Sequence, residues 1–190
     1  PGPTDKSGTP TEAKSVIRIL PNFHIGKDEL PFLPVDFYYD FGRTWLSPSQ
    51  FDEPDAIADF YQELVKQYRA ETDKARNKEL WQMSLKFKPK DRICVPVLVR
   101  GEEDKGVKFW WFSKKLYQDI KQITEDSDYG NIFDLKKGHD ITVSYKPKEL
   151  TSTGYPEISV LPKPKPTPVS DDSEVLNAVK NMPNILEAFT

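Results

Sequence analysis

The 190-residue chain has a single cysteine, Cys94, and so cannot form an intrachain disulfide. That excludes the disulfide-stapled scaffolds of small secreted proteins and fits a reducing compartment. Histidine is nearly as scarce: His24 and His139 are the only two. With one cysteine they are too few and too scattered for a tetrahedral zinc site. No apolar run approaches the roughly 20 residues that span a bilayer, and the polar first 14 residues show no signal-peptide pattern. The motifs of common catalysis are missing too, with no GxxxxGK[ST] loop and no HExxH pair. Carboxylates are plentiful, but helical surfaces account for them, and an enzyme is not expected. Neither sign of charge dominates, since 27 Lys and Arg stand against 30 Asp and Glu for a net charge of -3. Any claim to bind a polyanion must therefore rest on where the charges sit.

What the chain has is aromatic residues, 12% of the total, and a sharp segregation of charge. Between residues 86 and 115 nine bases face four acids, whereas between 47 and 82 five bases face eight acids. The near-neutral total thus hides a polarised molecule. A local positive track suffices for phosphates.

Patterning sets the elements. Residues 1–14 offer almost nothing to bury and are expected to be disordered. The β-branched run Ser15-Val16-Ile17-Arg18-Ile19-Leu20-Pro21 reads as a strand, and residues 34–46 read as a second strand region turning at Gly42. Ile57, Phe60, Tyr61, Leu64, Val65 and Tyr68 recur at helical spacing, with a second helix over 75–85. Pro54 suits a first helical turn that starts near Asp52 or Glu53. Strands follow at 92–100 and 107–112, then a helix capped by Ser113, then strands at 141–146 and 157–161. A Pro-Lys alternation over 162–168 forms a stiff connector to a helix near 171–181, capped by Ser170 or Asp171. There is no internal repeat. The expected fold is mainly β, an OB-type five-stranded Greek-key barrel with an α-helical subdomain. Its expected divisions are a core over 15–162, a helical insertion at about 47–86 and a C-terminal segment over 163–190.

Aromatic and basic residues interleave in the positive segment. Phe87 lies between Lys86 and Lys88, with Lys90 and Arg92 beyond, and Lys108 precedes Phe109-Trp110-Trp111-Phe112. Alternation puts Val107, Phe109 and Trp111 on one side of that strand and Lys108, Trp110 and Phe112 on the other. The side carrying Lys108 is expected to face a groove, and Phe109 and Trp111 are the better core candidates. Tyr38 and Tyr39 form a second aromatic cluster, followed by Arg43 and Trp45, and Tyr145 and Tyr155 repeat the theme near the end. Rings that stack on unpaired bases beside lysines that hold phosphates suit single strands, because a duplex hides its base faces. The competing reading makes the same aromatic face a protein- or peptide-binding module.

Several of these segments resemble the core domain of the T4-type bacteriophage single-stranded-DNA-binding, or helix-destabilising, proteins. The strongest is Gly106-Val107-Lys108-Phe109-Trp110-Trp111-Phe112-Ser113-Lys114-Lys115-Leu116-Tyr117-Gln118-Asp119-Ile120, with residues 15–21 and Leu30-Pro31-Phe32 in support. The resemblance implies an OB-fold that holds single-stranded DNA without sequence preference in phage DNA replication, recombination and repair. The implied location is the cytoplasm of the infected bacterium. By position Trp110 matches a groove tyrosine of the family, Arg92 another aromatic groove residue, Lys86, Lys88 and Lys90 its basic stretch, and Arg18 the arginine of its first strand. Lys108, Lys114 and Phe87 complete the expected DNA-binding set with Tyr38, Tyr39 and Tyr155. The zinc ligands of the best-known members are absent from 47–86, so no metal or other cofactor is expected. Their basic arm and acidic tail are likewise not recognisable in residues 1–14 and 181–190. Weak self-association along DNA and impaired recruitment of the phage replication and recombination proteins that would be its partners are the corresponding expectations.

Overall fold

The computed structural model describes residues 3–24, 29–40 and 43–187, so the turn expected at Gly42 lies outside the described residues. Among the described residues the protein is mixed α/β, with a seven-stranded antiparallel sheet and four α-helices. Strand order is β3-β2-β4-β1-β6-β7, and β5 also pairs with β4. The chain divides into two compact units, Pro1–Leu33 with Ile93–Thr190, and Pro34–Arg92.

The first unit contains β1 (Ala13–Ile19), most of β4 (Lys90–Val99), β5 (Lys108–Phe112), α3 (Lys114–Glu125), β6 (Ile141–Lys146), β7 (Glu157–Pro162) and α4 (Ser173–Lys180). β1 pairs with β4 through Ile17↔Val99 and with β6 through Ile17↔Ile141, while β4 pairs with β5 through Val95↔Trp110. Alternation then sorts the side chains. Ile17, Ile19, Ile93, Val95, Val97 and Ile141 point to one face and meet Leu116 and Ile120 of α3 in the main core. Ser113 caps α3 as expected, its hydroxyl accepting from the Leu116 N–H at 3.3 Å. Phe32 is wedged edge-on among Phe112, Tyr117 and Phe133 at 5.0–6.4 Å. The opposite face of β1 and β4 presents Leu20 and Leu98, which Val169, Val179 and Met182 cover. Both faces are therefore buried over Ile17–Ile19 and Ile93–Leu98, which explains the continuous apolar run of β4.

Two expectations are corrected here. Among the described residues no pairing joins β5 to β7, so the sheet is open and not the closed barrel expected from the sequence. The N-terminal segment is not structureless either. Thr4 bridges Pro10, and the Asp5 carboxylate accepts from Ser7 and Thr9, a local turn built from short polar side chains.

The second unit holds the hairpin β2 (Leu33–Asp40) with β3 (Arg43–Leu46), followed by α1 (Ala56–Ala70) and α2 (Lys74–Phe87). It reaches further to each side than the helical insertion read from the sequence, because the aromatic strands belong to it. α1 begins one turn later than expected, at Asp55. That side chain accepts from the Ile57 and Ala58 N–H groups at 3.1 and 2.9 Å. α2 is capped the same way by Asp73, and Leu64, Val65, Leu80 and Ser84 are the residues the two helices bury.

Candidate nucleic-acid interface

In the second unit aromatic and basic side chains meet. Lys90 Nζ lies 5.4 Å from the ring centroid of Tyr39, and the Arg92 guanidinium carbon lies 5.8 Å from that of Phe37. Phe37 and Tyr39 are two apart on β2, as Lys90 and Arg92 are on β4, so each pair shares a face. The two Cα positions in each pair are about 6.6 Å apart along the strand. Tyr39 remains 59% exposed, and Lys86 and Lys88, which precede Lys90 in sequence, are exposed too. A cation over an exposed ring contributes only about 0.5–1 kcal/mol. A base stacked on such a ring would contribute about 1–3 kcal/mol, more than the cation does.

Other expected members of the set are placed differently. Tyr38 is 8% exposed, and its hydroxyl donates to Asp55 at 2.9 Å. Burial, followed by the Asp55 hydrogen bond and charge, pushes its ionisation up to about 12. Tyr38 thus anchors the start of α1 and is removed from the DNA-binding set. Burial opposes ionisation of Asp55, but donors from Ser47, Ala58 N–H, Tyr38 and Ile57 N–H outweigh it and hold the carboxyl below its ordinary range. Phe87 is half-buried and edge-on to Phe60 at 4.9 Å and 84°, so its ring packs the helical hairpin and does not stand open to a base.

Arg18 is fully buried in the first unit, which corrects its assignment to DNA. It donates to Asp140 at 2.9 Å, to the Thr167 carbonyl and hydroxyl at 2.8 and 2.6 Å, and to the Asp134 carbonyl at 3.3 Å. Burial lowers its pKa and the Asp140 charge raises it, with a net downward shift. Arg100 approaches the same carboxylate at 2.8 and 3.0 Å and donates to the Pro168 and Val169 carbonyls. The two guanidiniums clamp the proline-rich connector to the sheet.

Trp110 is also reassigned. Its register partner is Val95, a core residue, and its ring lies 4.5 Å from that of Phe112. The indole therefore belongs to the core side, half-buried at its margin. Phe109 and Trp111 pair with Pro96 and Cys94 and lie on the opposite face, also half-buried. The two faces of β5 are thus the reverse of those read from the sequence. Lys108 misled that reading. It sits at the strand's first position, where its ammonium escapes the core and pairs with Glu102. That hydrogen bond, and the one from Lys105 at 3.1 Å, hold Glu102 below its ordinary pKa. Lys114 is exposed at the start of α3, and Tyr155 is 75% exposed in the β6–β7 loop. The sequence reading left Trp45 out of the set, although it is 55% exposed opposite Tyr38 in the β2–β3 pairing. A Trp on a four-residue edge strand beside Arg43 was the available signal.

Both histidines make structural hydrogen bonds, His24 to the Met182 carbonyl and His139 to the Lys163 carbonyl, each at 2.8 Å. Cys94 is buried, and that burial pushes its thiol up to about 12. Among the described residues no three of His, Cys, Asp and Glu gather as metal ligands would, and no helix is long and apolar enough to cross a membrane. No family model matches the chain, and no curated protein matches it either.

Proposed function

We propose that this protein binds single-stranded DNA without sequence preference, in the manner of the phage helix-destabilising proteins its sequence resembles. The observation that carries the reading is the pair of cation–aromatic contacts, Lys90 with Tyr39 and Arg92 with Phe37, on neighbouring strands of the second unit. Stacking platforms interleaved with phosphate-binding cations at strand spacing suit an extended, unpaired strand. The connectivity of the first unit supports the same class. Its strands run β5-β4-β1-β6-β7, the order of a five-stranded Greek-key barrel parted between β5 and β7. OB-folds are barrels of this kind, often partly open, and bind oligonucleotides on their second and third strands and neighbouring loops. On that reading β4, β5 and the loop bearing Tyr155 would take those places. Such a protein would serve replication, recombination and repair inside an infected bacterium, where single strands are exposed.

The test is a titration with dT and dA oligonucleotides, followed by tryptophan fluorescence across salt concentrations. If Lys86, Lys88, Lys90 and Arg92 each hold a phosphate, the logarithm of affinity falls against that of salt with a slope of about -3. Tyr39→Ala should weaken binding by roughly 1–3 kcal/mol, with the fold intact by circular dichroism. A salt-independent interaction, or equal affinity for duplex, would leave the protein-binding reading of the aromatic face in its place.

A further inference from the structure

The α1–α2 hairpin buries few residues between its helices and leaves large apolar side chains outside. Ile57 and Phe60, one turn apart on α1, are 43% and 45% exposed, and Trp81 and Leu85, one turn apart on α2, are 46% and 48% exposed. Scattered exposed apolar residues need no explanation, but a cluster on two adjacent helices marks an interaction surface. A helix pair sealed only along its own seam lacks the second layer that bundles use to bury their stripes.

Charge along the hairpin indicates what that layer is. At its tip Lys66, Arg69, Lys74, Arg76 and Lys78 outnumber Glu71, Asp73 and Glu79. At its root Asp52, Glu53, Asp55, Asp59 and Glu63 outnumber Lys86 and Lys88. Two hairpins laid side by side in the same direction would oppose tip to tip and root to root. Related by a two-fold axis across the helices, they set each positive tip on a negative root. We propose that the hairpin is a self-association surface, on which a second copy of this chain docks antiparallel to form a four-helix bundle. A two-fold contact of this kind is self-complementary and closes at the dimer. The surface is independent of the cation–aromatic pairs and does not require DNA.

Sedimentation of the full chain without DNA, over a micromolar concentration series, should show a monomer–dimer equilibrium. Leu85→Glu and Trp81→Glu change exposed positions, so circular dichroism and Tm should hold. The dimer dissociation constant should rise at least about tenfold, the loss typical of a central apolar anchor. Charge reversal supplies a second readout. Asp59→Lys with Glu63→Lys, and Lys74→Glu with Lys78→Glu, should each weaken the homodimer, and an equimolar mixture of the two should recover a heterodimer. A protein that remains monomeric throughout the series overturns the proposal. So does a dimer unaffected by Leu85→Glu, or a mixture that associates no better than its parts.

Discussion

At the scale of single residues, Asp55 does more than its position in the sequence suggests. One carboxylate caps α1, accepts from Tyr38 at 2.9 Å and accepts from Ser47. Asp55→Ala removes the cap, at about 1 kcal/mol, and strands the buried Tyr38 hydroxyl at about 1–3 kcal/mol, while the Ser47 hydroxyl keeps Ser49 as a partner. A loss of about 2–4 kcal/mol in urea unfolding is expected. The pH dependence follows from the direction of the shift. A carboxyl held below its unfolded value stabilises the fold above the ordinary Asp range, and that contribution disappears as pH falls through the folded value. Wild type should therefore lose stability more steeply than Asp55→Asn as pH falls below the ordinary Asp range, measured by unfolding at stepped pH. Trp110 carries a second prediction. Because it packs against Phe112 on the core side, Trp110→Ala should lower stability by about 2–4 kcal/mol. Its oligonucleotide affinity, measured well below Tm, should change far less than that of Tyr39→Ala.

At the scale of elements, the connector after β7 is held by geometry as well as charge. Backbone bonds run from Lys163 to Asp140 at 2.7 Å, from Thr167 to Gly138 at 3.0 Å and from Val169 to Leu135 at 2.8 Å. Arg18 and Arg100 close the clamp over it. Gly138 is required by close approach. A Cβ there would lie 2.4 Å from the Asp134 carbonyl oxygen, 2.5 Å from that of Ile132 and 2.9 Å from the Arg18 guanidinium. Two of those atoms are backbone and cannot swing aside. Gly138→Ala should displace the clamp, and Arg18→Met should leave Asp140 with a single guanidinium partner. Each should cost about 3 kcal/mol or more in thermal or urea unfolding. Amide exchange over 163–182 should quicken more than exchange in β6.

At the scale of the whole molecule, opposite charge is sorted along the chain and not mixed. A net charge of -3 and a pI near 5.5 should hold the protein on an anion exchanger at pH 8. The same protein should also bind an oligonucleotide in low salt, and moderate salt should abolish both interactions. Failure to bind the oligonucleotide at low salt would show that the local excess of bases between 86 and 115 is not presented as a phosphate track.

Element types were legible because period and caps are local. Ile141–Lys146 matches its expected bounds, Ser113 caps α3, and the helical pair falls where apolar spacing placed it. The candidate site was legible only in part. Alternation shows that Trp110 and Trp111 face opposite ways, but it is symmetric and does not say which way is inward. Pairing of Val95 with Trp110 breaks that symmetry, because the core side of β4 is already set by Ile93, Val95 and Val97. In the same way Arg18, Tyr38 and Phe87 read as surface candidates by residue type. Asp140, Asp55 and Phe60, which bury or hold them, lie 122, 17 and 27 positions away along the chain. Local physics determined where strands, helices and charge segments lie; burial and pairing depend on partners distant in sequence, and only the folded chain brings them together.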